Sequence, residues 1–117
     1  MTTDITHLLF EFLVNIKYAH LMTDKYSEHK ATDKLYDEFN ELYDKYLETC
    51  AGKHGKNRIK TTKTININAC NGDVKEYIKS VIKKIDIFYK KQETDLQSIL
   101  DDIKISMNRC LYLLELN

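Results

Sequence analysis

Residues 35–50, LYDEFNELYDKYLETC, decide the fold class because they carry two faces of opposite character at helical spacing. Apolar and aromatic side chains recur here every three or four residues, which is the period of an amphipathic α-helix. They are Leu35, Tyr36, Phe39, Leu42, Tyr43, Tyr46 and Cys50. The stretch therefore predicts a helix that stops at Gly52 and packs one side against a helical core.

The same helical period continues on both sides of this stretch. It predicts four helices, at about residues 4–26, 28–51, 73–91 and 95–115. Residues 52–72 lose the helical period, and the three glycines of the chain lie in this region, which predicts a long loop. A chain of 117 residues has room for a single domain with one core.

Helix starts are indicated by side chains that accept hydrogen bonds from the free amides of a first turn. Ser27 is the predicted N-cap of the second helix, and Asp73 with Glu76 and Thr94 with Gln97 form capping-box patterns further on. Two helices, a long connection and two more helices are typical of a bundle whose crossover returns the chain to the opposite end. We predict an all-α, ferritin-like four-helix bundle, with an up-and-down bundle carrying a flexible insert as the alternative.

The first helix has a second apolar stripe. Phe10, Val14 and Leu21 lie on the side opposite its main apolar face. One face of a helix can meet the core of its own bundle, so the second stripe predicts a surface for a partner.

Composition restricts the class of protein. With 43% hydrophobic residues, 31% charged residues and zero formal net charge, the chain has the composition of a globular protein with no global attraction to nucleic acid or membrane. No apolar run approaches the roughly 18 residues of a membrane span. Three widely spaced cysteines predict free thiols in a reducing compartment. We expect a cytoplasmic protein, in the host cytoplasm or the virion if it is viral, with no membrane partner.

The second helix also carries a polar stripe, opposite its apolar one. Its members share about 100° of the helix surface. They are His29, Asp33, Asp37, Asn40, Asp44 and Glu48. A di-iron site inside a bundle would need inward carboxylates and Glu-x-x-His pairs, which the last two helices lack. These carboxylates point outward, so they can bind a metal only if a second subunit completes the site.

The spacing of this stripe resembles that of the Dps-type mini-ferritins. In that family a histidine near the end of the first helix is followed by a second histidine, an aspartate fifteen residues beyond and a glutamate four further. His20, His29, Asp44 and Glu48 match this order, with fifteen residues from His29 to Asp44 and four from Asp44 to Glu48. The resemblance implies a homo-oligomer, a dimer or larger, that binds iron or another divalent metal between subunits.

By that resemblance, His20 and His29 come from one subunit and Asp44 and Glu48 from its mate, with Asp33 or Asp37 orienting ligands or attracting cations. Imidazole and carboxylate together suit ferrous iron, manganese or zinc, and ferroxidase activity is the implied chemistry.

The chain is also similar to short, largely uncharacterised proteins of phages and large DNA viruses. These share a His-x8-His-Lys-Ala segment and a Gly-Lys-x-Gly helix end, which stand here at residues 20–31 and 52–55. This similarity favours the competing hypothesis of a non-enzymatic helical-bundle protein that binds a partner.

A basic loop gives a third hypothesis, nucleic-acid binding. The cationic side chains between residues 52 and 63 could each neutralise a phosphate. They are Lys53, Lys56, Arg58, Lys60 and Lys63. The loop lacks aromatic residues for base stacking, and a solvated loop is the alternative. His7 and His54 are interpreted as surface polar residues.

Overall fold

The computed structural model describes residues 4–116 and contains four α-helices. They are α1 (Asp4–Met22), α2 (Tyr26–His54), α3 (Val74–Tyr89) and α4 (Thr94–Glu115). A short 3-10 turn, Lys56–Ile59, follows α2, and no strand occurs in the described part of the chain. The prediction of an all-α four-helix bundle is confirmed.

Helix boundaries differ from the predicted ones by a few residues, and two of the predicted caps are wrong. Asp73 does cap α3, because its carboxylate accepts from the Glu76 amide at 3.2 Å. Ser27 is not the N-cap of α2, which already begins at Tyr26 without a side-chain cap. Thr94 is likewise the first residue of α4 rather than its cap. The polar residue nearest a helix start is therefore not always the one that caps it.

Helix directions follow from contacts between chain ends. Lys53 near the end of α2 binds Asp95 at the start of α4, so these two helices are antiparallel. Lys75 at the start of α3 binds Glu115 at the end of α4, so this pair is antiparallel too. Hence α2 and α3 run parallel, and the chain must cross the length of the bundle between them. The predicted crossover is confirmed, and the up-and-down alternative, in which α2 and α3 would be antiparallel, is wrong.

The crossover is fastened to α1 by polar side chains. The amide of Asn15, which is fully buried, accepts from the Cys70 backbone N–H at 3.0 Å and donates to the Asn66 carbonyl at 2.8 Å. About two turns nearer the start of α1, the His7 ring donates to the Thr64 carbonyl at 2.8 Å. These bonds replace the backbone partners that a non-helical segment lacks.

The core lies on the predicted apolar face of α2. Phe39 of α2 packs edge-on against Phe12 of α1, with ring centroids 4.9 Å apart. Leu35 and Tyr46, one helical turn or two from Phe39, are almost fully buried. Because this face of α2 is covered by α1 and α4, its opposite face is turned to solvent.

Candidate functional site

The turn between α1 and α2 is closed by two histidines. Their rings stack at a centroid distance of 3.9 Å, with an angle of 22° between the ring planes. Each ring is also bonded to the other residue's backbone: His20 Nδ1 lies 2.9 Å from the His29 carbonyl, and His29 Nδ1 lies 2.9 Å from the His20 carbonyl. We call this reciprocal arrangement the histidine clasp.

The clasp fixes the tautomer of both rings. A carbonyl oxygen can only accept, so each Nδ1 must donate, and in the neutral rings each Nε2 keeps a lone pair. His20 Nε2 has a carboxylate oxygen of Asp33 at 3.8 Å. The lone pairs lie in nearly parallel planes, so the two stacked rings do not direct them at one point. In this arrangement the clasp joins α1 to α2 without forming a chelate.

The predicted metal ligands come together only in part in one chain: His20, His29 and Asp33 lie close to one another, whereas Asp44 and Glu48 lie further along α2. Asp33, Asp37, Asp44 and Glu48 are all exposed on the outer face of α2, as predicted. His29 and Asp44 are fifteen residues apart on one helix, which separates them by about 22 Å. Among residues 4–116, no group of three or more histidine, cysteine and acidic side chains is placed to hold a metal ion. Within residues 4–116, one chain therefore offers no complete ligand set, and a site of this composition would need a second copy.

Several large apolar side chains surround the clasp but are left uncovered. Leu21 is 64% exposed, Met22 61% and Tyr26 74%, and at the end of α4 Leu116 is 48% exposed. We call this part of the bundle the apolar end. Single exposed apolar residues are ordinary, whereas a cluster at one end of a molecule is typical of an interaction surface.

A groove of about 640 Å³ runs beside this cluster, between α2 and α4. Its apolar lining comes from Tyr26 and Ala31 of α2 and from Leu113 and Leu116 near the end of α4. We call it the α2/α4 groove.

The second apolar stripe of α1 divides between two environments. Phe10 packs edge-on against Tyr43 of α2, with ring centroids 5.5 Å apart, so its partner belongs to the same chain. Val14 and Leu21 instead line a smaller groove that also includes Ile67 of the crossover. The expectation of a free surface therefore applies to the later part of this stripe.

The opposite end of the bundle is covered by charges. Lys53 Nζ lies 2.8 Å from Asp95 Oδ1, and His54 Nε2 lies 2.6 Å from Glu93 Oε1. These hydrogen bonds raise the pKa of Lys53 and lower the pKa of Asp95 and Glu93. We call this region the ion-paired end.

Some cations of the basic loop form ion pairs with carboxylates of the same chain. Lys63 also binds a carboxylate, that of Asp4 on α1, in addition to the pairing of Lys53. Lys56, Arg58 and Lys60 are exposed on the 3-10 turn and just after it. Two of the five cations predicted to contact phosphates already neutralise acidic groups of the bundle, which reduces the local positive charge.

Comparison with known proteins gives the class of the chain. Residues 20–114 match the model of DUF5856, a family of unknown function, and the chain belongs to that family. It is also 31% identical over 99 residues to the "Uncharacterized 14.6 kDa protein in mobD-ri intergenic region" of Enterobacteria phage T4. The match covers 84% of this chain and 75% of the phage protein.

The phage relative agrees with the predicted similarity to phage proteins. The resemblance to Dps-type mini-ferritins gains no support from the family match or from this relative. No solved structure matches the chain. Within residues 4–116, none of the helices has the length and apolar character needed to cross a membrane.

Sequence reasoning missed two structural roles. It assigned His20 and His29 only as possible ligands and did not anticipate that each ring donates from Nδ1 to the backbone carbonyl of the other residue. It also passed over Asn15, although a polar residue beside Ile16 in an apolar stripe signals a buried hydrogen bond. The role of the histidines can be recognised only once the conformation of the turn is known, whereas the role of Asn15 could have been inferred from the sequence.

Proposed function

We propose that this protein is a non-enzymatic helical-bundle module that acts by binding another protein chain at its apolar end. The observation that carries the proposal is the exposure of the two large apolar side chains that line the α2/α4 groove, Tyr26 at 74% and Leu116 at 48%. Burying such side chains against a partner removes apolar area from water and so favours association.

The exposed apolar side chains stand on an ordered part of the bundle, which favours a role in binding. The histidine clasp joins α1 to α2 directly beneath the cluster, so the exposed side chains stand on an ordered turn. A preorganised surface loses less conformational entropy on binding than a mobile one.

Site-specific photo-crosslinking tests this proposal. A benzoylphenylalanine at Tyr26 should crosslink one defined protein in the cells that make the chain naturally. The same probe at Ile87 of α3, which is 67% exposed and distant from the groove, is the matched control. Unlabelled wild-type chain should compete for the crosslink, and a Leu116→Lys chain should compete poorly. No crosslink from Tyr26, or equal crosslinks from both positions, would overturn the proposal.

A second candidate is binding of iron or another divalent metal between two copies of the chain, with ferroxidase activity as its further expectation. It is supported by the side-by-side placement of His20 and His29 and by the exposure of Asp44 and Glu48 further along α2. Imidazole nitrogens and carboxylate oxygens are suitable ligands for such ions. The ligands would have to come from both copies, since one chain holds no complete set among its described residues.

Ferrous titration separates the two candidates. Metal binding predicts saturable uptake in the oligomer that is lost in the Asp44→Ala, Glu48→Ala double variant. The matched control is an Asp24→Ala, Glu41→Ala double variant, which removes two exposed carboxylates outside the matched motif. Absence of saturable binding in the wild type would remove this candidate and leave the binding module unaffected.

A further inference from the structure

The rim of the α2/α4 groove carries four charged side chains in alternating order. Along α2 they read Lys30, Asp33, Lys34 and Asp37, and all four are exposed. At 100° per residue they fall within about 100° of the helix surface, so they form one edge. Positive and negative charges are equal in number on this edge.

Within the described chain these charges are hardly used. The side chains of Lys34 and Asp37 make no ion pair or hydrogen bond with any residue of 4–116. Lys30 Nζ lies 5.9 Å from the centre of the Tyr26 ring, and Asp33 has only the 3.8 Å approach to His20. The edge therefore offers unpaired charges of both signs beside an apolar groove.

The order of these charges is complementary to its own reverse. Read from the other direction, lysine–aspartate–lysine–aspartate becomes aspartate–lysine–aspartate–lysine. A second copy of α2 laid antiparallel along this edge therefore places each lysine opposite an aspartate, whereas a parallel copy in register places like charges together. Zero formal net charge also means that two copies do not repel each other at long range.

We propose that the occupant of the α2/α4 groove is a second copy of this chain, docked with its α2 antiparallel. Lys30 then lies opposite Asp37 of the partner subunit, and Lys34 lies opposite Asp33 of the partner subunit. The charged edge sets the register, and burial of Tyr26 and Leu116 supplies most of the association free energy. This proposal rests on the proposed function and names the partner.

Charge reversal at one position and its compensation test the register. Lys30→Asp should weaken the dimer by about tenfold or more, because two symmetric attractions become repulsions. Asp37→Lys should weaken it similarly. The double variant Lys30→Asp, Asp37→Lys should restore dimerisation to within about threefold of wild type. Sedimentation equilibrium over a range of protein concentrations measures all four chains.

Lys83→Asp on α3 is the matched control, because Lys83 is exposed and the charge change is the same. Lys30 is exposed and lies outside the core, so Lys30→Asp should stay folded in circular dichroism. Added salt should weaken the wild-type dimer.

The possible outcomes distinguish self-docking from the more general proposal that the apolar end binds another protein chain. A wild-type chain that stays monomeric up to about 1 mM overturns self-docking, while a crosslink from Tyr26 to a different protein keeps the binding module. A dimer that Lys30→Asp weakens no more than Lys83→Asp does, or that the double variant does not restore, overturns the register. A Tyr26 probe that crosslinks nothing overturns both.

Discussion

The helices are joined by different interactions at the two ends of this bundle. At the ion-paired end, α2 and α4 are joined by Lys53 with Asp95 and by His54 with Glu93. At the apolar end, α1 and α2 are joined by the histidine clasp, and Tyr26 and other large side chains remain uncovered. At the ion-paired end, the surface polar groups pair with one another. At the apolar end, the turn is held by hydrogen bonds, but the apolar side chains on its surface have no cover.

Two tyrosines of α2 show what this difference means for stability. Tyr46, towards the ion-paired end, is almost fully buried and donates its hydroxyl to Gln92 at 2.6 Å, and burial raises its pKa. Tyr26, at the apolar end, is mostly exposed. The same residue type therefore serves folding at one end and is free for binding at the other.

The largest expected effect comes from Tyr46→Ala. Removing a buried aromatic ring and leaving a cavity should lower the free energy of unfolding by about 3–5 kcal/mol. Tyr26→Ala, the matched control, should change it by no more than about 0.5 kcal/mol, because its side chain is exposed. Urea unfolding followed by circular dichroism measures both. Equal losses would contradict the division of roles between the two ends.

Asn15→Ala tests how the crossover connects the two ends. It leaves the Cys70 N–H and the Asn66 carbonyl without their side-chain partner, and we expect a loss of about 2–4 kcal/mol. Hydrogen exchange should become faster at Cys70 and at the start of α3, while amides around Tyr46 change only with global stability. Asn68→Ala, an exposed position on the same crossover, should be close to neutral. Unchanged exchange at Cys70 would contradict the fastening role of Asn15.

The histidine clasp should have a smaller effect. His20→Ala removes a mostly buried ring and its bond to the His29 carbonyl, and it should cost about 1–3 kcal/mol. His29→Ala should cost less, because that ring is less buried. In a double-mutant cycle the two losses should be non-additive by at least about 0.5 kcal/mol, since the rings share one stack. Strict additivity would mean that the clasp does not act as a unit.

Acid should act in part through the ion-paired end, and this is the smallest of the expected effects. The folded pKa values of Glu93 and Asp95 lie below their ordinary values because of His54 and Lys53. Their stabilising contribution is therefore present above the unfolded values of about 4, and it is lost as pH falls through the folded values. Lys53→Met should lose less stability on acidification than wild type. Urea unfolding at a series of pH values tests this, with Lys83→Met expected to follow wild type.

The helices could be predicted because each carries its own apolar period, as Leu35, Phe39 and Tyr46 do on α2. Asp73 could be predicted as a cap because its partner, Glu76, is three residues away. Ser27 could not be judged the same way, since the start of α2 depends on the turn that the clasp closes. In the clasp, ring N–H groups donate to backbone carbonyls across two helices, and residue spacing carries no information about that contact.

The surface could be predicted only in part. The outward direction of Asp33 and Asp37 follows from helical period alone. Phe10 packs against Tyr43, whereas Leu21 stays exposed. This difference depends on how closely α1 and α2 pack near each end. Such packing is a tertiary property, so the sequence could indicate a second stripe but not which part of it remains free.

The crossover also decides how this protein can be handled in the laboratory. Because α1 starts beside the ion-paired end and α4 finishes beside Tyr26, residues 4 and 116 lie towards opposite ends of a molecule whose longest dimension is 43 Å. An affinity tag or fluorophore joined ahead of α1 leaves the α2/α4 groove accessible. One joined after Leu116 would be attached next to a residue that lines the groove, so the position ahead of α1 is the better choice for binding experiments.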